Sequence, residues 1–488
     1  MPAVEKLPVP DGTGSFREVG GFPENGGLPD SAHRSKNDAE CCGESGGVRG
    51  GTAGIRREGR RSGPGRGRPA GGLRRCGVET SGDGSAAHGS SLADGYPGIA
   101  LALLHAGRTL DEPRLVDAAQ ALLRRSAQAT AEEPLAGPGL YAGTAGFASV
   151  LLDFSVYDRR YLPSLRRIAD RLGEQIAATP RLEPGAGLPV SDFDVISGAA
   201  GQLAAAVRLS TALDASPGDP VRVAAERLTE YLLRLTEPDD RRRFGWFTSP
   251  DYYPAYPGYE DQAPHGMYNL GFAHGLPGVI SALCAAAAAG IGGPGPAERL
   301  AQTTAWLVEN RLRDEVPGAA WPNLLRADEE TGLPVAPLGQ HPARAAWCYG
   351  APGIGIALLS ASKVLGDTAL EATAAGALQR VVDWAPDERT VFSPNLCHGH
   401  AGLLAVYRRA HAVTGSASFR AMAEDSLSAV LSLADEARPY VVTDEPRRGE
   451  FADDPGLLNG AAGVLLALCG ALAPQAAEWD ELFFLTRA

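Results

Sequence analysis

The sequence lacks any run of apolar residues long enough to cross a membrane as a helix. Such a helix needs roughly 18 apolar residues, and the Ala-rich stretch at 279–289 is too short and is typical of a buried helix. Residues Met1–Pro10 also lack the apolar segment of a signal peptide. We therefore expect a cytoplasmic protein, in which the seven cysteines do not form a disulfide framework.

Positive charge is scarce as well. The formal net charge is -13, so the molecule as a whole is not suited to bind nucleic acid or an anionic membrane. Residues 43–75 differ, because they are mostly Gly and Arg with almost nothing to bury. Such a segment is a disordered tail, an out-of-frame translation of GC-rich DNA, or a basic tail that binds nucleic acid. We expect residues 1–85 to be disordered or irregular, with no nucleic acid as partner.

A repeat organises the remaining domain, residues 86–488. A Gly-x-x-Gly sequence directly before an apolar run recurs seven times, beginning at Gly95, Gly143, Gly198, Gly275, Gly350, Gly399 and Gly460. Each copy precedes a run that is apolar on nearly all faces, which predicts a buried inner helix. The amphipathic stretches between the runs predict outer helices. Seven such hairpins indicate an all-α protein, an α/α-barrel (toroid), whose glycines let the inner helix ends crowd together.

Two of the spacings between repeats are long. They contain insertions near 237–270 and 311–345, which are rich in Pro, Trp, Tyr and Gly. We expect these insertions to form loops or short strands over one mouth of the ring.

If the repeats superpose, the residues just before each first glycine gather at one end of the barrel. Cys348 and Cys397 both stand two positions before that glycine, in adjacent repeats, and His398 follows Cys397. Two thiolates and one imidazole suit Zn²⁺ with its fourth position open. The alternatives are a closed zinc site and unrelated buried cysteines. Cys284 and Cys469 lie inside apolar runs and are expected to be core residues.

Three further residues are candidates at the same mouth. His274 stands one position before its glycine and is either a proton-transfer group or a hydrogen-bonded structural residue. Asp194, four positions before its glycine, is either part of the site or a helix N-cap. Arg344 either stabilises a developing oxyanion or pairs with a carboxylate.

Four strings resemble the signature motifs of one family, the lanthionine synthetase C-like proteins. They are "NLGFAHGLPG" (269–278), "WCYGAPGIG" (347–355), "LCHGHAG" (396–402) and "LLNGAAG" (457–463). The resemblance spans about residues 90–488. It implies an α/α-toroid, a zinc ion held by Cys348, Cys397 and His398, and cyclisation of lanthipeptides. In that reaction a peptide cysteine adds to dehydroalanine or dehydrobutyrine, which forms lanthionine or methyllanthionine.

The resemblance also implies roles for other residues. By motif, the family's catalytic histidine corresponds to His274, its aspartate to Asp194, and its arginine and tyrosine to Arg344 and Tyr349. The sequence departs from the family at its start, because residues 43–85 show no recognisable outer helix before the first inner one. Either the first hairpin is incomplete or a poorly matching segment supplies that helix.

The implied partners are a dehydrated precursor peptide and a separate dehydratase, with membrane association only through a biosynthetic complex. Two alternatives within the fold are a member that adds glutathione to dehydrated residues and a non-catalytic binding module. An α/α-barrel glycosidase would need paired carboxylates, whereas the mouth offers only scattered acids, Asp94 and Asp194.

Overall fold

Each of the seven repeated Gly-x-x-Gly sequences marks the start of an inner helix, with its first glycine at the N-cap. The computed structural model describes residues 89–485 apart from 133, 136, 186, 241–242, 254–257, 313–320, 338–339, 341–342 and 474–478. The inner helices are α1 (Tyr96–Thr109), α3 (Thr144–Tyr157), α5 (Ala199–Ala212), α8 (Leu276–Ala288), α10 (Ala351–Leu365), α12 (His400–Thr414) and α14 (Ala461–Leu472). The predicted segment 1–85 lies outside the described residues and stays a prediction.

Six long outer helices follow the first six inner helices and pack against them. They are α2 (Pro113–Glu132), α4 (Leu162–Ala178), α6 (Pro220–Leu235), α9 (Gly295–Glu309), α11 (Thr368–Asp383) and α13 (Ala417–Ser432). In α4, for example, the buried residues Leu165, Ala169, Leu172 and Ile176 recur every three or four positions and form one apolar face. A seventh outer helix, expected before α1, would fall outside the described residues.

The seven inner helices form a closed ring. Each contacts the next in chain order, and α14 contacts α1, so the ring closes within the described part of the chain. The predicted α/α-barrel is therefore confirmed, and its closure does not depend on the Gly/Arg-rich segment.

The second glycine of each repeat allows the preceding loop to fold back onto the helix. A Cβ at this glycine would lie 2.0–2.4 Å from the backbone oxygen of the residue six positions earlier, in all seven repeats. At Gly353 these neighbours are the oxygen of Trp347, at 2.1 Å, and the Cβ of Phe272 in the adjacent repeat, at 2.9 Å. The glycines thus make room for a loop and a neighbouring side chain. The expected close approach of neighbouring repeats is therefore present, and contact with the loop of the same repeat adds to it.

Backbone hydrogen bonds join the seven loops into a second closed ring, which we call the collar. Its N–H to O=C links are Ala93 to Tyr141 (2.9 Å), Tyr141 to Ile196 (3.0 Å), Val195 to Ala273 (3.0 Å), Ala273 to Cys348 (3.2 Å), Cys348 to Cys397 (3.2 Å), Cys397 to Leu458 (2.9 Å) and Leu458 to Ala93 (3.3 Å). The collar holds the residues just before the first glycines at one end of the barrel.

Short elements complete the described structure. The strand β1 (Met267–Asn269) pairs antiparallel with β2 (Leu324–Arg326), which joins the two insertions, and β3 (Asp444–Arg447) pairs with β4 (Glu450–Ala452). The short helices are α7 (Tyr259–Gln262) and α15 (Asp480–Phe484). Among the described residues, no helix has the length and apolar character needed to span a bilayer.

Candidate metal centre

The three predicted zinc ligands come together at the collar. The Sγ atoms of Cys348 and Cys397 and a ring nitrogen of His398 all lie within 4.8 Å of one another. The link from Cys348 N–H to the Cys397 oxygen sets this spacing, because it places the two loops side by side. Both thiols are buried, Cys348 at 1% and Cys397 at 8% exposure.

This group fits a tetrahedral zinc ion with one open position. Ligand bonds of about 2.3 Å place two sulfur ligands about 3.8 Å apart, and ligand atoms that all lie within 4.8 Å of one another are compatible with that spacing. The Nδ1 atom of His398 is buried and has no hydrogen-bond partner among the described residues. Of the two ring nitrogens, Nδ1 is therefore the one that no described side chain engages. Cys284 and Cys469 are not in the group and lie buried in inner helices, as expected of core residues.

A chain of buried polar groups holds the imidazole of His398. Its Nε2 lies 3.0 Å from the Nδ2 of Asn395, and its backbone N–H donates to the Oδ1 of Asn395 at 2.9 Å. The same Nδ2 donates to the Oδ1 of Asp444 at 2.7 Å, and the hydroxyl of Ser393 donates to that oxygen as well. Residues of this kind orient metal ligands and tune their affinity.

Sequence reasoning missed this hydrogen-bonded group of Asn395, Asp444 and Ser393. Asn395 stands in the same string as Cys397, so a careful reading of that string had a signal to find it. Asp444 belongs to β3 and offered no such signal, because it lies 49 positions after Asn395.

A second pair of side chains lies two loops earlier around the collar. The Nδ1 of His274 is 2.7 Å from the Oδ2 of Asp194. The other carboxylate oxygen of Asp194 accepts from the backbone N–H groups of Ser197 and Gly198, both at 2.8 Å. Asp194 is not the N-cap of α5, which is Gly198, so that alternative was wrong. One oxygen of Asp194 holds the turn before α5, and the other orients the imidazole of His274. Its side chain is 3% exposed, whereas that of His274 is 32% exposed and open to a substrate.

Tyr349 lies between the three candidate metal ligands and the pair of His274 and Asp194. Its ring centroid is 6.2 Å from that of His274, and its hydroxyl accepts from the Nδ2 of Asn269 at 3.0 Å. The ring covers Gly271, where an added Cβ would be 2.5 Å from the Cε1 of Tyr349. Asn269, which sequence reasoning missed, also accepts from the N–H of Gly271 at 2.8 Å.

Arg344 begins the loop that carries Cys348 and Tyr349. Its side chain is half-buried. Its carbonyl oxygen lies 2.0 Å from the place of a Cβ on Gly350, whose φ of 100° also favours glycine. The structure thus fixes the backbone of Arg344 against the helix start of its own repeat.

Two ionisable side chains near the candidate ligands have shifted pKa values. Burial, and then the charge of Cys397, raises the pKa of the Tyr141 phenol above its ordinary value. Burial, and then the nearby Arg389, lowers the pKa of His400. Tyr141 thus remains an uncharged donor beside the thiols.

A cavity of about 750 Å³ opens at the other end of the ring. Residues mostly from the C-terminal halves of α3, α5, α8, α10 and α12 line it together with Glu481 and Leu485, and it includes none of the predicted ligands or catalytic residues. The predicted ligands and catalytic residues thus lie outside this cavity.

Comparisons with known proteins agree with this arrangement. The sequence model of a family described as "Lanthionine synthetase C-like protein" matches residues 86–484. The nisin biosynthesis protein NisC of Lactococcus lactis subsp. lactis is 24% identical over 335 residues, which are 67% of this chain and 72% of that protein. A solved structure of nisin cyclase superposes with a TM-score of 0.66 at 20% identity. It covers 82% of this chain and 93% of the other.

Proposed function

The chain belongs to the lanthionine synthetase C-like family, and we propose that it is a zinc-dependent cyclase that forms thioether rings in peptides. A cysteine of the substrate would add to a dehydroalanine or dehydrobutyrine of the same peptide. The observation that carries the proposal is the convergence of Cys348, Cys397 and His398 at the collar of a protein from this family. The similarity to NisC, a nisin biosynthesis protein, supports the same reaction class.

The ligand set favours a sulfur nucleophile. When bound, Zn²⁺ would lower the pKa of an incoming thiol and keep it as a thiolate. Cys348 and Cys397 would contribute two negative charges and His398 none, so the site stays electron-rich. Such a centre suits thiolate attack better than the generation of hydroxide.

His274 would move the proton. As the new C–S bond forms at the β-carbon of the dehydro residue, the electron pair of the C=C bond shifts towards the carbonyl and gives an enolate. The enolate must then receive a proton at the α-carbon. Asp194 holds Nδ1 of His274 at 2.7 Å, which leaves Nε2 to exchange protons with the substrate.

Arg344 would act on the enolate, and Tyr349 would act on the spacing of the site residues. Arg344, at the start of the Cys348 loop, would place its positive charge near the enolate oxygen. Tyr349, held by Asn269, would fix the distance between the ligand loop and His274.

The partners follow from the reaction. The substrate would be a precursor peptide that already carries dehydrated residues, and a separate dehydratase would supply them. Glutathione addition to dehydrated residues needs the same thiol activation but a second, soluble thiol.

The test uses a synthetic peptide with one cysteine and one dehydroalanine, incubated with the zinc-loaded protein. Cyclisation conserves mass, so alkylation of the remaining thiol followed by mass spectrometry measures ring closure. We expect the thiol to disappear with wild-type protein and to persist with Cys397→Ala. If the thiol persists with wild type while added glutathione is joined to the dehydroalanine, the protein is a glutathione-adding member and the cyclase proposal is wrong.

A further inference from the structure

A short buried segment, Trp479–Leu485, lies inside the ring of helices. We call it the lumen segment; it contains α15. Its aromatic and aliphatic side chains are all buried: Trp479, Leu482, Phe483, Phe484 and Leu485. None of the collar residues belongs to it.

Ion pairs attach the first part of this segment to helices on opposite sides of the ring. Glu481 accepts from Arg208 of α5 at 3.2 Å, and Arg208 also pairs with Asp153 of α3. Asp480 accepts from Arg409 of α12 at 3.3 Å. Because α5 and α12 do not adjoin, a segment of this length can reach both only from within the ring.

The second part of the segment reaches the metal end. The ring of Phe483 stacks on Trp347, with centroids 4.1 Å apart and planes 19° apart. The Nε1 of Trp347 donates to the backbone oxygen of Phe483 at 3.0 Å, and the hydroxyl of Tyr141 donates to the oxygen of Leu482 at 3.4 Å. The segment therefore contacts the collar loops from inside the ring.

Trp347 connects these contacts to the proposed ligands. It is the residue before Cys348, and its ring also packs against Phe272 at 5.4 Å, two positions before His274. The ring of Tyr141 lies 6.3 Å away as well, and a fully buried indole with three ring neighbours and a hydrogen bond has one position available to it. The backbone at Cys348 is fixed by the same contacts.

We propose that the lumen segment is a positioning element for the metal centre, and that Phe483 is its main positioning residue. By holding Trp347 from inside the ring, Phe483 sets the place of the Cys348 thiol relative to the loop of Cys397 and His398. Metal ligands need this kind of support because small displacements weaken binding. The identity of the metal rests on the proposed function, whereas the positioning of Cys348 does not.

The first experiment measures zinc affinity in the full chain by competition with a chromophoric chelator. Phe483→Ala should weaken binding by about 10–100-fold, as expected for the loss of a supporting residue. Phe419→Ala is the matched control, because Phe419 is equally buried, at 2% exposure, but lies on α13 and packs against Tyr407. Phe483→Leu retains most of the volume and should fold if the alanine variant does not, with a smaller loss of affinity in the same direction.

The second experiment needs no metal. Alkylation by iodoacetamide is followed at each cysteine of metal-free protein by peptide mass spectrometry. Cys348 should react faster in Phe483→Ala and Phe483→Leu than in wild type or Phe419→Ala, while buried Cys284 keeps its rate. Unchanged Cys348 labelling in both Phe483 variants, or an equal increase in Phe419→Ala, would overturn the inference. If wild type binds no zinc but Cys348 still reacts faster in the Phe483 variants than in wild type, the proposed metal is wrong and the positioning role stands.

Discussion

The loops of the seven repeats share one backbone arrangement, yet they divide into two arcs with different side chains. The reactive arc comprises the loops before α5, α8, α10 and α12, with Asp194, His274, Cys348, Tyr349, Cys397 and His398. The opposite arc comprises the loops before α14, α1 and α3, with Leu458, Asn459, Ala93, Asp94, Tyr141 and Ala142 at the matching positions. Both arcs have the same glycine contacts and the same collar links.

The comparison separates the scaffold from the chemistry. Glycines and backbone hydrogen bonds build the collar, and they do so in every repeat. The side chains of the loops, chiefly those one and two positions before the first glycine and in one loop Asp194, then decide what each loop can do. Changes to the scaffold should therefore act alike in both arcs, whereas changes to side chains should matter only in the reactive arc.

The largest effect is expected for His274→Asn in the reactive arc. This change removes the proposed proton donor but leaves the zinc ligands untouched, so cyclisation should fall by about 10²–10⁴-fold with zinc content retained. Thiol alkylation and metal analysis on the same preparations measure both quantities. Ring closure at the wild-type rate would make His274 a structural residue.

A scaffold change in the opposite arc should come next. Gly146→Ala places a Cβ 2.0 Å from the backbone oxygen of Leu140, in a repeat that carries no proposed ligand. We expect a loss of about 1–3 kcal/mol or more in the free energy of unfolding, measured by denaturant titration. Gly376→Ala in α11 is the control, because nothing lies within 4 Å of its added Cβ. It should be neutral or stabilise the helix by up to about 1 kcal/mol. Equal stability of the two variants would refute the role given to the second glycines.

Support for His398 should have a smaller effect. Asn395→Ala removes the group 3.0 Å from the imidazole Nε2 and leaves Asp444 without that donor. Zinc affinity should fall by about 10–100-fold, as measured by chelator competition. Unaltered affinity would show that the imidazole is oriented by other contacts.

The smallest effect is expected for Asp94→Asn. In the opposite arc, Asp94 stands one position before its first glycine, as His274 does in the reactive arc. Because the opposite arc takes no part in the proposed chemistry, cyclisation should change by less than about twofold. Kinetics of the alkylation assay on both Asn variants make the comparison direct. A loss comparable to that of His274→Asn would mean that the active region extends around the collar.

The sequence predicted the parts of this molecule that repeat. Seven glycine pairs marked seven helix starts, and the shared register of Cys348 and Cys397 predicted that they would lie together. The physical reason is that a repeat converts positions far apart in the chain into neighbours in space. The same logic placed His274 at the collar end.

The parts that do not repeat could not be predicted. Asp444 reaches Asn395 from a hairpin outside the helices, and Phe483 stacks on Trp347 across 136 positions of the chain. Neither contact has a local pattern, because each depends on tertiary packing. The contacts of Asp194 escaped for a related reason. It was weighed as a site residue or a helix N-cap, whereas its two oxygens hold the turn before α5 and the imidazole of His274, which lies 80 positions later.

The central claim is that Cys348, Cys397 and His398 bind zinc. The most direct test is the metal content of purified protein, measured by elemental mass spectrometry. Wild type should contain one zinc ion per chain, and Cys469→Ala should contain the same, because Cys469 is a buried core cysteine outside the ligand group. Cys348→Ala and Cys397→Ala should each lose most of the zinc, since each removes one of three protein ligands. Full zinc occupancy in both of these variants would contradict the assignment of the metal centre.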